Sequence, residues 1–255
     1  MTSLPAIYIA SLFERPPDLL SDGITLDGLA KLLELLDEAK IQSPGAASLL
    51  GANILNGAPA PGVLMILGDC QLHSISTWAN LLNQKGFSSI VICGCSEVNR
   101  AGYLREDDAP LLIGHGVAIA SRGATGRPLV GMPLAELRRE LQESQQKLSR
   151  VAGYQVGILA PTISTFGHAV DGLVLEEARR AGYRLILEPS GRVTDLSTTQ
   201  NVADPERLDY RIVTTNDAPE DLVHWIIGTG LSRPSAQIRE LLQRPRRILT
   251  RLKFS

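Results

Sequence analysis

The chain has 255 residues, of which 44% are hydrophobic and 20% charged, and a formal net charge of -2. This length suits one large α/β domain or a barrel, and so balanced a charge excludes a general attraction to nucleic acid or acidic membranes. No apolar stretch reaches the roughly eighteen residues needed to span a bilayer, and no basic region precedes the first apolar run, so a soluble cytoplasmic protein is expected.

Ala6 to Ala10 reads as a first strand, followed by a loop broken by Pro16 and Pro17. A helix is predicted from near Thr25, with Leu26, Leu29, Leu32, Leu33 and Leu36 at core spacing. The segment from Ser43 to Gly62 is rich in Pro, Gly, Ala and Asn and holds one short helix around Ala46 to Leu50. Val63 to Leu67 is an unbroken apolar run closed by Gly68, the signature of a strand buried on both faces, and the rest of the chain is organised around it. Ile75, Trp78, Leu81 and Leu82 mark the next helix, which Gly86 ends, and Ser89 to Cys93 forms another strand. Strand, helix and strand in that order make a right-handed parallel unit.

Gly114 to Ala120 is read as a further strand and Ser121 to Met132 as a glycine-rich loop. Pro133 opens the longest helix, closed by Gly153, with Glu143 and Lys147 as an i,i+4 pair on its wet face. Then follow a strand at Val156 to Leu159, a helix near Gly172 to Ala181, a strand at Arg184 to Leu187, a polar loop from Pro189 to Leu208, a strand at Tyr210 to Thr214, and helices at Pro219 to Ile227 and Ala236 to Leu242. Repeated β-then-α order predicts a parallel barrel or an open parallel sheet. One domain is expected over 1–255, with 1–62 as its lead-in and 235–255 as a basic tail.

Asp69 stands just past the central strand, at the edge where parallel α/β folds bind ligands. It reads either as a functional carboxylate or as a cap for the following helix. The three cysteines, Cys70, Cys93 and Cys95, are an odd number without an export signal, which argues against a disulfide framework. Cys93 and Cys95 lack the second pair that a zinc site would draw on, so buried packing is expected of them.

Several segments in order resemble the polysaccharide deacetylase family, the NodB homology fold of carbohydrate esterase family 4. The buried strand ending in Asp and then LLNQKGFSSIVIC resembles the approach to and exit from the family's T-F-D-D-G motif. YLREDDAPLLIGHGVAIA is similar to the lead into its histidine box, PLAELRRELQESQQKLSRVAG to the helix after that box, GLVLEEARRAGYRLIL to the helix after its R-x-P-Y motif, and LDYRIVTTNDAPEDLVHWI to its last strand and helix. The resemblance implies a distorted parallel (β/α) barrel with its site at the strand C-terminal ends.

It also implies hydrolysis of N- or O-acetyl groups on sugars, by a metal held on one Asp and two His with a second Asp as base. In this chain T-F-D-D-G maps onto Ile66, Leu67, Gly68, Asp69 and Cys70, which keeps the metal-binding Asp and replaces the base by Gly68. The histidine positions fall on Ala120 and Ala124, or in the other register on Gly123 and Arg127. R-x-P-Y falls on Leu159, Ala160, Pro161 and Thr162, and no L-x-I-H motif follows. One carboxylate cannot hold a catalytic zinc.

Of the four histidines, His73 lies one turn after Asp69 and His168 falls in a later loop, so Asp69, His73 and His168 are the candidate substrate-binding set and the one candidate metal triad. His115 belongs to the wrong end of a strand, and His224 to an outer helix. Ser121, Ser164 and Cys70 are weaker as nucleophiles, having no His at an evident spacing.

The expected protein is therefore deacetylase-like, catalytically impaired, without a cofactor, and acting in carbohydrate binding or with polysaccharide-assembly partners. One rival is an active enzyme with a substituted zinc or other divalent-metal site. Another is an anion- or protein-binding module that uses Arg239, Arg244, Arg246, Arg247, Arg251 and Lys253 of the tail.

Overall fold

A computed structural model describes residues 3–15, 21–52, 62–68, 70–163, 169–189, 194–195 and 206–230. In chain order the elements are β1 (Ser3–Leu4), β2 (Ala6–Ile9), β3 (Leu12–Phe13), β4 (Ile24–Thr25), α1 (Leu26–Glu38), α2 (Ala46–Leu50), β5 (Leu64–Leu67), α3 (Leu72–Gln84) and β6 (Ser89–Cys93). They continue with α4 (Ala109–Gly114), β7 (Val117–Ser121), α5 (Leu134–Ala152), β8 (Ile158–Leu159), α6 (Gly172–Ala181), β9 (Leu185–Pro189), β10 (Thr194–Asp195), β11 (Glu206–Ile212) and α7 (Pro219–Gly230). Seven strands close into a barrel in the order β11-β2-β5-β6-β7-β8-β9, and every pairing within it is parallel. The expected parallel barrel is thus the observed fold.

Alternation along each strand divides the core in two. Ala6, Leu64, Ile66, Ile90, Ile92, Ala118, Ala120, Ile158, Leu185, Leu187, Leu208 and Tyr210 fill the barrel interior, together with Leu49 and Ala52 from α2 and its end. Ile7, Ile9, Met65, Leu67, Val91, Cys93, Val117 and Ile119 face outward and pack on residues of α1, α3 and α7. Leu159 and Ile186 do the same for α5 and α6. The central strand β5 is buried along its whole length, as its unbroken apolar run requires.

Local chemistry sets the helix starts. Thr25 accepts from the Gly28 N–H at 3.1 Å to cap α1, and Asp171 accepts from the Val174 N–H at 2.9 Å to cap α6. Trp78 of α3 donates its indole N–H to the Ser89 hydroxyl at 2.8 Å, pinning that helix to the start of β6.

Several expectations are corrected. The strand read from Gly114 begins at Val117, because Ala109–Gly114 is a helix with Pro110 in its first turn and Glu106–Asp108 as a 3-10 turn before it. His115 consequently follows α4, and does not open a strand. Ser121 belongs to β7 and not to the loop after it, and β8 is shorter than Val156 to Leu159. The late strand runs over Glu206–Ile212, since its pairing with β9 begins at Glu206. The polar loop read from Pro189 to Leu208 accordingly loses both ends to strands, and β10 within it pairs with β1. Lys147 does not pair with Glu143; its ammonium donates to the Cys95 carbonyl at 2.7 Å, a buried acceptor that outweighs a weak solvated ion pair. The helix read at Ala236 to Leu242, and the basic tail, lie outside the described residues.

Candidate functional site

Alternation carried one step past the last paired residues assembles the mouth of the barrel at its strand C-terminal ends. Tyr8 shares a face with Ala6, Gly68 with Leu64 and Ile66, Arg122 with Ala118 and Ala120, and Tyr210 with Leu208. These four residues meet. The Tyr8 phenol lies where a side chain on Gly68 would begin: a β-carbon there would stand 2.1 Å from the Tyr8 oxygen. The Tyr8 and Tyr210 rings pack at 5.0 Å between centroids, tilted by 31°. Arg122 Nη2 donates to the Gly68 carbonyl, so the guanidinium is bound to the same residue that the phenol covers.

Glu97 fixes the arginine. Its Oε1 accepts from Arg122 Nη1 at 3.4 Å, and its Oε2 accepts from the Gly94 N–H at 2.9 Å and the Cys70 thiol at 3.0 Å. Gly94 permits this approach, since a β-carbon there would come within 2.9 Å of Glu97 Oε2. Arg122 and Glu97 keep side-chain exposures of 27% and 24%, so the pair can be reached from the mouth. Burial pushes the Tyr210 hydroxyl's pKa far up, with the Tyr8 and Glu188 charges adding to the rise and Arg122 opposing it. Tyr210 is therefore a neutral donor across the physiological range.

Cys93 lies beneath this layer. Its thiol's pKa is raised by a hydrogen bond with Cys70, by complete burial and by the negative charge of Glu97. Cys95 is pushed up to about 11 by burial. All three cysteines are free and buried, in keeping with the packing role expected of Cys93 and Cys95.

The sequence-derived set is only partly in view. His73 is exposed on the first turn of α3, while Asp69 and His168 lie outside the described residues. His115 sits at the end of α4, at the base of β7, and His224 is on α7, where its Nδ1 meets the Glu220 carbonyl at 2.6 Å. Ala120 lines the barrel interior. The Gly123 N–H donates to the Ser121 hydroxyl at 3.0 Å, so that serine, the last residue of β7, is engaged by the backbone after it; Arg127 is exposed and paired with Glu136. Thr162, at the last position of the R-x-P-Y match, donates to the Gly126 carbonyl at 2.8 Å. Ser164 lies outside the described residues.

Among the described residues no three His, Cys, Asp or Glu side chains gather as metal ligands. A guanidinium bound to Gly68 adds positive charge at the same place, so the described mouth does not fit a divalent cation. Sequence reasoning missed Arg122, Glu97, Tyr8 and Tyr210. The signal available was strand parity: a charged residue two positions past Ala120, and tyrosines two past Ala6 and Leu208, fall on the inner face.

A barrel of seven parallel strands ringed by helices agrees in three dimensions with solved deacetylases. A deacetylase from Streptococcus pyogenes, solved with acetate, matches with a TM-score of 0.74 at 14% identity, over 88% of this chain and 98% of that one. The fold is that of the polysaccharide deacetylases. A de-N-acetylase from Aggregatibacter actinomycetemcomitans matches at a TM-score of 0.71 and 11% identity, over 88% of this chain and 99% of the other. A polysaccharide deacetylase from Bacillus cereus gives 0.68 and 16%, over 88% and 69%. At the level of sequence, no family model and no curated protein matches. Among the described residues no helix of this deacetylase-fold chain is long and apolar enough to cross a membrane.

Proposed function

We propose that this protein serves carbohydrate metabolism as a saccharide-binding member of the deacetylase fold, without hydrolysing acetyl groups. The observation that carries this reading is the arrangement at Gly68. The resemblance puts the catalytic base at that position, yet the space for any side chain is taken by the Tyr8 phenol, and the backbone carbonyl is held by a guanidinium. A carboxylate base has no room there.

What remains suits binding. Two packed tyrosines, an arginine and a glutamate ring the end of a rigid barrel, and such planar polar groups recognise hydroxylated rings. In this reading Asp69, His73 and His168 are the further polar side chains offered to sugar hydroxyls. The compartment is the cytoplasm, which three unpaired cysteines support.

The test is metal analysis of the gently purified protein together with acetate release from N-acetylated oligosaccharides, with and without added zinc, and calorimetric binding of saccharides. The expected result is no stoichiometric metal, no acetate release and measurable saccharide binding. One tightly held transition metal per chain, or metal-dependent acetate release, would overturn it in favour of a rebuilt site on Asp69, His73 and His168.

A further inference from the structure

We infer that the barrel mouth takes an acidic saccharide, a uronic-acid unit whose carboxylate docks on the Arg122 guanidinium and the Tyr210 hydroxyl. This rests on the saccharide-binding reading above and names the class of sugar.

Donor accounting points to an anion. A guanidinium carries five N–H donors, and Arg122 uses one of them on Glu97 and one on Gly68. The Nε–H and one hydrogen on each terminal nitrogen remain for a ligand. Tyr210, 7% exposed, packs its ring on Tyr8 at the same mouth, and a neutral phenol hydroxyl donates readily to a carboxylate oxygen. A neutral sugar ring offers hydroxyls that both donate and accept, whereas a carboxylate only accepts, and these two groups only donate or donate best.

The charge balance agrees. Glu97 faces Arg122 at 3.4 Å, longer than a charge-assisted bond, because its other oxygen is held by Gly94 and Cys70. It acts as a positioning residue that aims the guanidinium, leaving much of the positive charge to be met from the mouth. Arg122 is bonded to the Gly68 carbonyl, and Gly68 is covered by the Tyr8 phenol that packs on Tyr210. The two donors therefore address one neighbourhood, walled by Tyr8 at 5.0 Å from Tyr210.

The experiment titrates the full chain with oligogalacturonate, its methyl ester, an N-acetylchitooligosaccharide, and sodium acetate at equal carboxylate concentration. Oligogalacturonate is expected to bind, and the methyl ester and free acetate to bind at least about tenfold more weakly, the value of one charge-assisted contact. Arg122→Gln is expected to abolish that preference, and Tyr210→Phe to weaken binding by about three- to tenfold with an unchanged melting temperature. If Arg122→Gln fails to fold, Tyr210→Phe and the ester comparison decide the matter. Equal binding of acid and ester, binding of acetate as strong as that of the acid, or binding of the N-acetylchitooligosaccharide alone overturns the acidic-sugar site. The last of these leaves the saccharide-binding reading standing, whereas silence from every sugar removes both.

Discussion

The Tyr8 hydroxyl occupies the volume that a side chain on Gly68 would need, 2.1 Å from its first carbon. The obstruction is the phenol ring and not a flexible tip, since the Tyr8 Cζ and Cε2 atoms also lie within 2.6 Å of that carbon. Gly68→Asp is therefore expected to lower stability by about 1–3 kcal/mol, the usual cost of overpacking, or more with the buried charge included. Tyr8→Ala in the same chain should recover part of the loss, measured by chemical denaturation. A Gly68→Asp protein as stable as the parent would mean that the phenol swings aside freely.

Glu97 joins three segments: the turn after β6, the thiol after β5 and the arginine after β7. Glu97→Ala leaves the Gly94 N–H without its acceptor and the half-buried Arg122 guanidinium with one acceptor, the Gly68 carbonyl, in place of two, for an expected cost of about 2–3 kcal/mol. Glu97→Gln keeps one acceptor and the shape and should cost about half as much. Equal losses for the two variants would assign the effect to packing.

Glu177 is 3% exposed and receives Arg138 at 2.9 Å and Arg180 at 2.6 Å, which ties α5 to α6. The hydrogen bond from Arg138 is the main reason that its pKa lies below the ordinary glutamate value, with the charges of both arginines adding to it. A depressed carboxylate contributes stability that is fully present above the unfolded value and disappears as pH falls through the folded value. Denaturation midpoints of the parent and Glu177→Gln should therefore differ at neutral pH and converge under acid conditions. A gap that persists at the acid end would show that the charge is not its source.

Thiol chemistry offers a further check. Cys70, Cys93 and Cys95 are at most 4% exposed, and the Cys95 pKa is pushed up to about 11. Without access, a thiol reagent at neutral pH should label none in the native protein and all three after unfolding. Rapid native labelling of Cys70 would indicate that the Glu97 contact opens.

Much of the fold could be read from the sequence because long-range burial leaves a periodic trace. The leucines of α1, the apolar run of β5 and the glycine closing α5 each reported a single dominant force. The errors arose where two forces compete over few residues. Ala109–Gly114 is apolar and short enough for either a strand or a helix, and Pro110 in a first turn decided it. β11 carries Arg207 and Asp209 on its outer face, so its pattern looks like loop until pairing with β9 is known. The mouth was hardest. Arg122 and Glu97 are ordinary surface residue types, 25 positions apart, and only the pairing of β6 with β7 turns them toward one another.

The guanidinium at the mouth is covalently part of the chain. A metal centre must be loaded, can be stripped by chelators, and can be filled with the wrong ion. Arg122 arrives with translation and is seated as soon as β7 pairs with β6 and the Gly68 carbonyl comes within reach. If the saccharide-binding reading holds, such a centre has no apo form: supply of trace elements would not gate it, and its competence would be set by folding alone.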